Sequence, residues 1–281
     1  MKKFLFIGIG WMMMYSFAMA SFSIRPILGY GIGAGKRKMG VDYEEDKKQK
    51  QIKNKNMYYN AGQGVKLGLE VDYSLSEELN IGIEIGLSSG KDHEIYKIKQ
   101  YHSPTSSWHT LNSEMKTSYK VFSPTIKLEK KIGGEKEWDE SPQFIPFCVF
   151  GIIFALGPKS TTVEEYKSTY TENMEKELTY KQGIGICGTI GVEYTLSEKL
   201  GVTGEMRVEQ LSLKAKHDKL KKHIVDGKDM LPTTKTRVKE TIYEEDNTKD
   251  NPKDPDVPCI RHTFIIPANS VSIMLGIVYR F

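Results

Sequence analysis

The chain has 281 residues, 39% of them hydrophobic, and a formal net charge of +4, with a mean hydropathy of −0.43. The length suits one large domain or two small ones, the polarity excludes a helical membrane protein, and so weak a charge gives no reason to invoke nucleic acid. A β-barrel fits these numbers, because only alternate strand residues must be apolar and the loops are hydrophilic.

Lys2 and Lys3 precede an apolar run from Phe4 to Ala20, which ends Ala18-Met19-Ala20 before Ser21. A basic start, an apolar core and an A-x-A site read as a secretory signal peptide over residues 1–20, cleaved after Ala20. No later stretch reaches the roughly 18 continuous apolar residues of a spanning helix. The chain is therefore expected to be exported, and any membrane span it makes must be β.

From Ser21 the chain alternates amphipathic strands with polar connections. The first strand is Phe22 to about Ala34, with Phe22, Ile24, Pro26, Leu28, Tyr30 and Ile32 on one face. Ser23, Arg25, Gly29, Gly31 and Gly33 lie on the other, with Ile27 as the exception. Residues 36–60 show no periodicity and read as a loop. In the second strand Val65, Leu67, Leu69, Val71 and Tyr73 alternate with Lys66, Gly68, Glu70 and Asp72. After the short link 74–78, the third alternates Leu79, Ile81, Ile83, Ile85 and Leu87 with Asn80, Gly82, Glu84, Gly86 and Ser88. Two matched strands around a tight polar link predict a β-hairpin.

Residues 90–118 read as a second long loop. The fourth strand, about Tyr119 to Ile132, turns Phe122, Pro124, Ile126 and Leu128 outward against Ser123, Thr125, Lys127 and Glu129. Pro124 cannot donate a ladder hydrogen bond, so a bulge or a later strand start is required. The fifth, Phe144 to Gly157, is apolar on both faces. Small Gly151, Ala155 and Gly157 put Cys148, Phe150, Ile152, Phe154 and Leu156 toward lipid. Residues 158–182 form the third predicted loop.

The sixth strand alternates Ile184, Ile186, Ile190, Val192 and Tyr194 with Gly185, Cys187, Thr189, Gly191 and Glu193. The seventh alternates Leu200, Val202, Gly204, Met206 and Val208 with Gly201, Thr203, Glu205, Arg207 and Glu209. Leu211 and Leu213 break this phase, which predicts a bulge or the membrane exit near Gln210. The fourth and longest loop covers about residues 214–262. The last strand, Val271 to Phe281, puts Val271, Ile273, Leu275, Ile277, Tyr279 and Phe281 on one face and closes the other with Arg280.

The connections read long, short, long, short, long, short, long across eight strands. An up-and-down barrel places alternate connections at opposite rims, and outer-membrane barrels pair long external loops with short periplasmic turns. Two turn segments also match, Glu70-Val-Asp-Tyr-Ser-Leu-Ser-Glu-Glu-Leu79 and Gly191-Val-Glu-Tyr-Thr-Leu-Ser-Glu-Lys-Leu200. Their tyrosines, Tyr73 and Tyr194, join Phe22, Phe144, Tyr279 and Phe281 as an expected aromatic girdle at the inner rim.

The signal peptide, the parity, the hairpin turns and the terminal Tyr279-Arg-Phe281 together resemble the small eight-stranded outer-membrane barrels, the OmpA-like and Opa-like group of porin-family proteins. The resemblance covers the mature chain and implies an all-β, antiparallel up-and-down transmembrane barrel in a Gram-negative outer membrane. It implies that Ile277, Tyr279 and Phe281 act as the signal read by the barrel-assembly machinery. Because the barrel strand comes last as read, no peptidoglycan-binding domain of the OmpA-like kind is expected after it. Partners implied are outer-membrane lipid and lipopolysaccharide, with a monomer expected.

Inward positions collect Arg25, Lys66, Lys127, Arg207 and Arg280 with Glu70, Asp72, Glu84, Glu129, Glu193, Glu205 and Glu209. An eight-stranded barrel has an interior only wide enough for side chains to fill, and buried charges of both signs should pair. A salt-bridged plug and a narrow ion-selective channel are the two readings. Catalysis, as a lipid-modifying outer-membrane enzyme, would need His102-Ser103, His93-Glu94 or His217-Asp218, but nothing positions a base and an orienting group there. His217 and His223, six apart, are poorly spaced for a shared metal and read as solvated loop residues. No catalytic, metal or cofactor site is expected.

The three cysteines Cys148, Cys187 and Cys259 are an odd count without zinc-site spacing. Cys148 and Cys187 fall on opposite faces, and Cys259 reads as an external thiol in the fourth loop. Charged runs such as Lys36-Arg-Lys38, Glu44-Glu-Asp46 and the cluster Lys219, Lys221 and Lys222 are usually solvated surface. Long loops on a rigid scaffold also carry recognition, so a surface or host ligand is the functional expectation, with an adhesin-like antigen as its form.

Overall fold

The computed structural model describes residues 21–34, 37–46, 51–59, 62–102, 107–132, 143–167, 170–245 and 254–281, with backbone alone for 37–46, 51–59, 91–102 and 107–114. The signal-peptide reading of residues 1–20 lies outside them. In chain order the strands are β1 (Phe22–Gly33), β2 (Arg37–Asp46), β3 (Gln51–Tyr59), β4 (Gly64–Ser74) and β5 (Leu79–His102). Then come β6 (Ser107–Lys131), β7 (Phe144–Lys167), β8 (Thr171–Tyr180), β9 (Gly183–Thr195) and β10 (Leu200–Val225). After β11 (Lys228–Asp229) and a one-turn helix α1 (Thr236–Lys239) follow β12 (Glu240–Glu244), β13 (Cys259–His262), β14 (Ile265–Pro267) and β15 (Ser270–Arg280).

Among the described residues, eight strands close a ring in the order β1, β4, β5, β6, β7, β9, β10, β15 and back to β1. All of these pairs are antiparallel, as the alternation and the parity of connections predict. β15 closes on β1 from Ser23↔Arg280 to Gly33↔Ser270. Beyond it, the Phe281 amide donates to the Phe22 carbonyl at 2.9 Å.

The period-two pattern is realised on every wall. Leu28, Leu67, Ile83, Ile126, Phe150, Ile190, Met206 and Ile273 all face out. On β7 the outward set is Cys148, Phe150, Ile152 and Leu156, with Phe154 half-buried, while Ile27 on β1 turns inward. The two matching turn segments fold alike. In one, the Leu75 amide donates to the Leu79 carbonyl at 2.8 Å and Ser76 Oγ accepts from the Leu79 amide at 3.2 Å. In the other, Leu196 donates to Leu200 at 2.8 Å and Ser197 Oγ accepts from the Leu200 amide at 3.1 Å. The rim beside these turns is aromatic: ring centroids lie 5.2 Å apart for Phe22 and Tyr73, 4.8 Å for Phe144 and Tyr194, and 5.0 Å for Tyr279 and Phe281.

The four regions expected as loops are largely strand. Within 36–60, β2 and β3 pair as a hairpin. Residues 90–118 continue β5 and β6, paired without a break in register from Leu79↔Lys130 to His102↔Ser107. Residues 158–182 carry the outer half of β7 and β8, and 214–262 carry the outer half of β10 with β11 to β13. Polar alternation hid these strands: outside the membrane neither face must be apolar, so backbone pairing carries the structure without a hydropathy signal. A strand crosses the hydrocarbon in about 9–11 residues, so β5, β6, β7 and β10, at 24, 25, 24 and 26 residues, run on the order of 40 Å further at the usual rise.

Pro124 sits opposite Ile85 on β5, and on its β7 side the ladder skips from Phe122↔Leu156 to Thr125↔Ile153. The bulge is displaced to the other strand: the register shifts between Lys120 and Phe122, where β7 holds one extra residue and Gly157 adopts φ +55°.

No bulge forms near Gln210, where the register against β9 runs on through Leu211↔Gly185, but the outward face of β10 turns from apolar to polar there, from Val208 to Gln210 and Ser212. The register against β8 shifts further out, between Ala215 and His217 and again between Leu220 and Lys222, while Leu211 and Leu213 keep the inward phase of Glu205, Arg207 and Glu209. They point inward because the lumen changes character there. Tyr119, Val121, Ala155, Tyr180, Leu211, Leu213, Ile266 and Ala268 form one buried apolar cluster at the outer end of the barrel, so leucine belongs on the inner face at this height.

Leu213 is 1% exposed within that cluster. Leu213→Ala is expected to cost roughly 2–5 kcal/mol in urea unfolding followed by the mobility difference between folded and unfolded protein on gels. A cost no larger than that of exposed Lys221→Ala would show that the outer end is not a packed core.

Candidate functional site: the charged lumen

The inward residues of six strands converge on two arginines. Arg25, from β1, directs one guanidinium nitrogen to Glu129 Oε2 at 2.8 Å and the other to Glu205 Oε1 at 3.3 Å. Asp72 lies 3.6 Å from it and Glu70 4.0 Å. Its guanidinium carbon sits 5.3 Å from the centroid of the Phe147 ring. Gly191 makes room for that ring, since a Cβ there would stand 2.4 Å from Phe147 Cζ. Arg207, from β10, forks onto Glu84 with two bonds of 2.8 Å and donates Nε to Thr189 Oγ1 at 3.3 Å. A bidentate guanidinium–carboxylate pair fixes orientation as well as charge.

Lys127 bridges these centres, donating to Glu70 at 2.6 Å and also contacting Glu84. Lys66 pairs with Glu209 and donates to Ser270 Oγ at 2.6 Å. At the inner rim Arg280 pairs with Glu193. Ten of the inward charges named from the sequence lie in one connected network, Arg25, Lys66, Glu70, Asp72, Glu84, Lys127, Glu129, Glu205, Arg207 and Glu209, and the other two, Glu193 and Arg280, pair with each other.

Several members were not singled out from the sequence. Asn80 donates to Glu129 Oε1 at 2.9 Å, Thr203 to Glu205 Oε1 at 3.3 Å and Ser270 to Glu209 Oε2 at 3.1 Å. Lys131 is buried on the inner face, and carrying the alternation Lys127, Glu129 one step further finds it. Arg25, Asn80, Glu129, Lys131, Glu193 and Arg280 line a polar recess of about 10 Å³ at the inner rim, room for about one water. Outward of Lys66 and Glu209 the apolar cluster begins, so the lumen is filled by paired charge below and hydrocarbon above.

The catalytic candidates do not assemble. His217 and Asp218 are successive strand residues and point to opposite faces. His217 Nε2 lies 3.8 Å from Glu240, while burial pushes the Asp218 carboxyl up. His93 and Glu94 lie along β5, opposite Lys116 and Met115. His102 ends β5, and Ser103 lies outside the described residues. His223 is not a solvated loop residue. It sits on β10, with Nε2 2.8 Å from Glu172 Oε1 and Nδ1 3.1 Å from Thr234 Oγ1. The Thr234 hydroxyl donates to the Met230 carbonyl at 2.7 Å, so its proton is turned away from the imidazole. Among the described residues no group of His, Cys, Asp and Glu is placed to hold a metal. Cys259 is buried rather than an accessible thiol, Cys148 and Cys187 occupy opposite faces, and none of the three forms a disulfide.

A closed ring of eight antiparallel strands, apolar outside and filled with paired charge inside, defines an outer-membrane β-barrel. No protein-family profile matches the chain, and no curated protein matches it. Among solved structures it is similar to the outer membrane protein OprG from Pseudomonas aeruginosa, at 12% identity and a TM-score of 0.46, covering 93% of this chain and 96% of that one. It is also similar to a major outer membrane protein from Thermus thermophilus, at 12% identity and 0.37, covering 93% and 99%. Ail of Yersinia pestis, solved with the heparin analogue sucrose octasulfate, aligns at 8% identity and 0.28, covering 93% and 97%. At such scores the class rests on the ring and its two faces.

Removing one partner of a buried charge pair strands the other, at roughly 3–5 kcal/mol. Arg207→Met is therefore expected to lower unfolding stability by about that amount. Arg207→Met combined with Glu84→Gln should recover part of the loss, measured by urea unfolding. Additive losses in the double variant would show that the two residues are energetically independent.

Proposed function

We propose that this barrel is a cell-surface interaction protein, adhesin-like in mode, exported through a cleaved signal peptide and displaying its long ends to the outside. The observation that supports this reading is the continuation of the barrel wall. The outer halves of β6 and β7, then β8, the outer half of β10, β12 and β13, pair in sequence as one sheet beyond the membrane. A membrane span needs none of this, whereas a large rigid external surface is what recognition uses. The surface is charged and cross-linked: Lys219 lies 3.0 Å from Glu240, Lys221 3.3 Å from Glu177 and Lys214 2.8 Å from Glu245. We assign no catalytic role, because the histidines that offered one are separated or already engaged. A narrow conducting pore is the weaker alternative, since the lumen is occupied at two successive heights; a structural barrel remains the second reading.

Cells displaying the protein are expected to adhere to a host-cell or matrix-coated surface more than cells without it. Replacing residues 37–59 and 217–262 by short turns should abolish that difference while the barrel keeps its folded gel mobility. Adhesion that survives both trims would overturn the proposal and leave the structural reading.

Ile277, Tyr279 and Phe281 are proposed as the signal for the assembly machinery, from their shared outward face and the Phe281–Phe22 backbone bond that ends the seam. Deleting Phe281 is expected to lower the amount of folded barrel recovered from outer membranes several-fold and leave the stability of the recovered fraction little changed. Undiminished recovery would refute the assignment.

A further inference from the structure

We propose that the outer rim over β6 and β7 binds the phosphate groups of a phosphorylated glycolipid of the outer leaflet. The site is made by Lys120 and Lys159, which face each other directly across the two strands. Both are exposed on the outer wall. One step toward the membrane, Phe122 and Leu156 form the last outward apolar pair of the same ladder. The two ammonium groups therefore stand where hydrocarbon gives way to headgroups.

Three observations separate this pair from ordinary rim lysines, which commonly reach for the interface. The first is that like charges directly opposite, with Cβ atoms about 4.5–5.5 Å apart, destabilise a sheet unless something lies between them. The second is a lack of local carboxylate. Among the described residues Lys120 makes no ion pair, and Lys159 has only Glu177 Oε2 at 3.8 Å, while the other oxygen of Glu177 lies 3.3 Å from Lys221. The third is the bulge. The outward residues of β7 are even-numbered up to Leu156, so Lys159 would turn inward in a regular strand. The extra residue at Gly157, with φ +55°, reverses the phase, burying Pro158 and bringing Lys159 out beside Lys120. Bulges commonly re-aim a side chain in this way. Ser118 and Thr161, opposite each other one step further out, add hydroxyl donors on the same face. Two point charges with neighbouring hydroxyls suit a phosphate monoester, and the lipid source is favoured over free phosphate by the apolar pair directly beneath.

The inference rests on the reading that the long ends lie outside. An assay in neutral detergent is blind to orientation, so its failure would leave that reading standing, whereas protease shaving of cells tests orientation alone. The full chain is titrated with lipid A carrying both phosphates and with the same lipid dephosphorylated. Binding is expected only for the phosphorylated form. Lys120→Gln with Lys159→Gln should weaken it roughly thirty-fold, the effect of two lysines at an anionic surface. Lys120→Arg with Lys159→Arg should retain it. Lys222→Gln with Lys228→Gln, which removes the same charge further from the membrane, should leave it within about two-fold if the effect is local rather than a matter of net charge. Equal weakening by that control, unchanged binding in Lys120→Gln with Lys159→Gln, or equal competition by inorganic phosphate would each overturn the proposal. Folded gel mobility of every variant confirms that the barrel is intact.

Discussion

Everything in this barrel depends on one constraint: in lipid, each backbone N–H and C=O must find its partner within the protein. A sheet meets that condition only by closing, and here it closes where β15 meets β1. The seam runs from Gly33↔Ser270 to Ser23↔Arg280 and ends with the Phe281 amide on the Phe22 carbonyl. Closure fixes the two faces of every strand at once, because a one-residue slip anywhere would turn lipid-facing isoleucines into the lumen and glutamates into lipid. The strict alternation of Leu67, Leu69 and Val71 with Lys66, Glu70 and Asp72 is therefore a register lock as well as a solubility pattern.

Closure at eight strands also decides what the interior can be. The space admits side chains and little else, and the chain fills it with charge that is paired across the barrel. Arg25 draws carboxylates from β4, β6 and β10, and Arg207 reaches Glu84 on β5 from the opposite wall. Such pairs span the diameter, so they hold the cross-section as struts do. Burying them against each other contributes less to stability than their number suggests, since desolvation opposes the attraction. Their stronger effect is on specificity: a misregistered strand would strand a charge in a dry interior.

Where physics was two-sided the sequence was legible. Lipid on one face and a packed lumen on the other impose a period of two, and the eight spans, their order, their faces and the inward charges follow from it. Beyond the membrane both faces meet water, the alternation loses its reason, and β5, β6, β7 and β10 continued for a dozen residues or so without a hydropathy signal. Leu211 and Leu213 misled for a related reason. Leucine on the inner face looks like a phase break only if the lumen is polar throughout, and at that height it is not. The bulge at Gly157 was equally hidden, because its signature is a backbone angle. Lys131 could have been read from the alternation, and Asn80, Thr203 and Ser270 from the need of buried carboxylates for donors.

The division of the lumen has a consequence for where function lies. Paired charge fills the inner part, and a hydrocarbon cluster of Tyr119, Tyr180, Leu211, Leu213 and Ile266 caps the outer part. Water entering from the inner rim reaches a recess of about 10 Å³ beside Arg25 and Asn80 and then meets packed side chains. The apolar cap is built from β6, β7, β8, β10 and β14, the same strands, β14 apart, that rise into the external sheet. The cap therefore anchors that sheet to the barrel, and the recognition role proposed for the sheet calls for such a rigid base if binding is not to lose its gain to ordering the binder. The two layers of the lumen serve the surface above them: one holds the ring in shape, and the other holds the external strands to the ring.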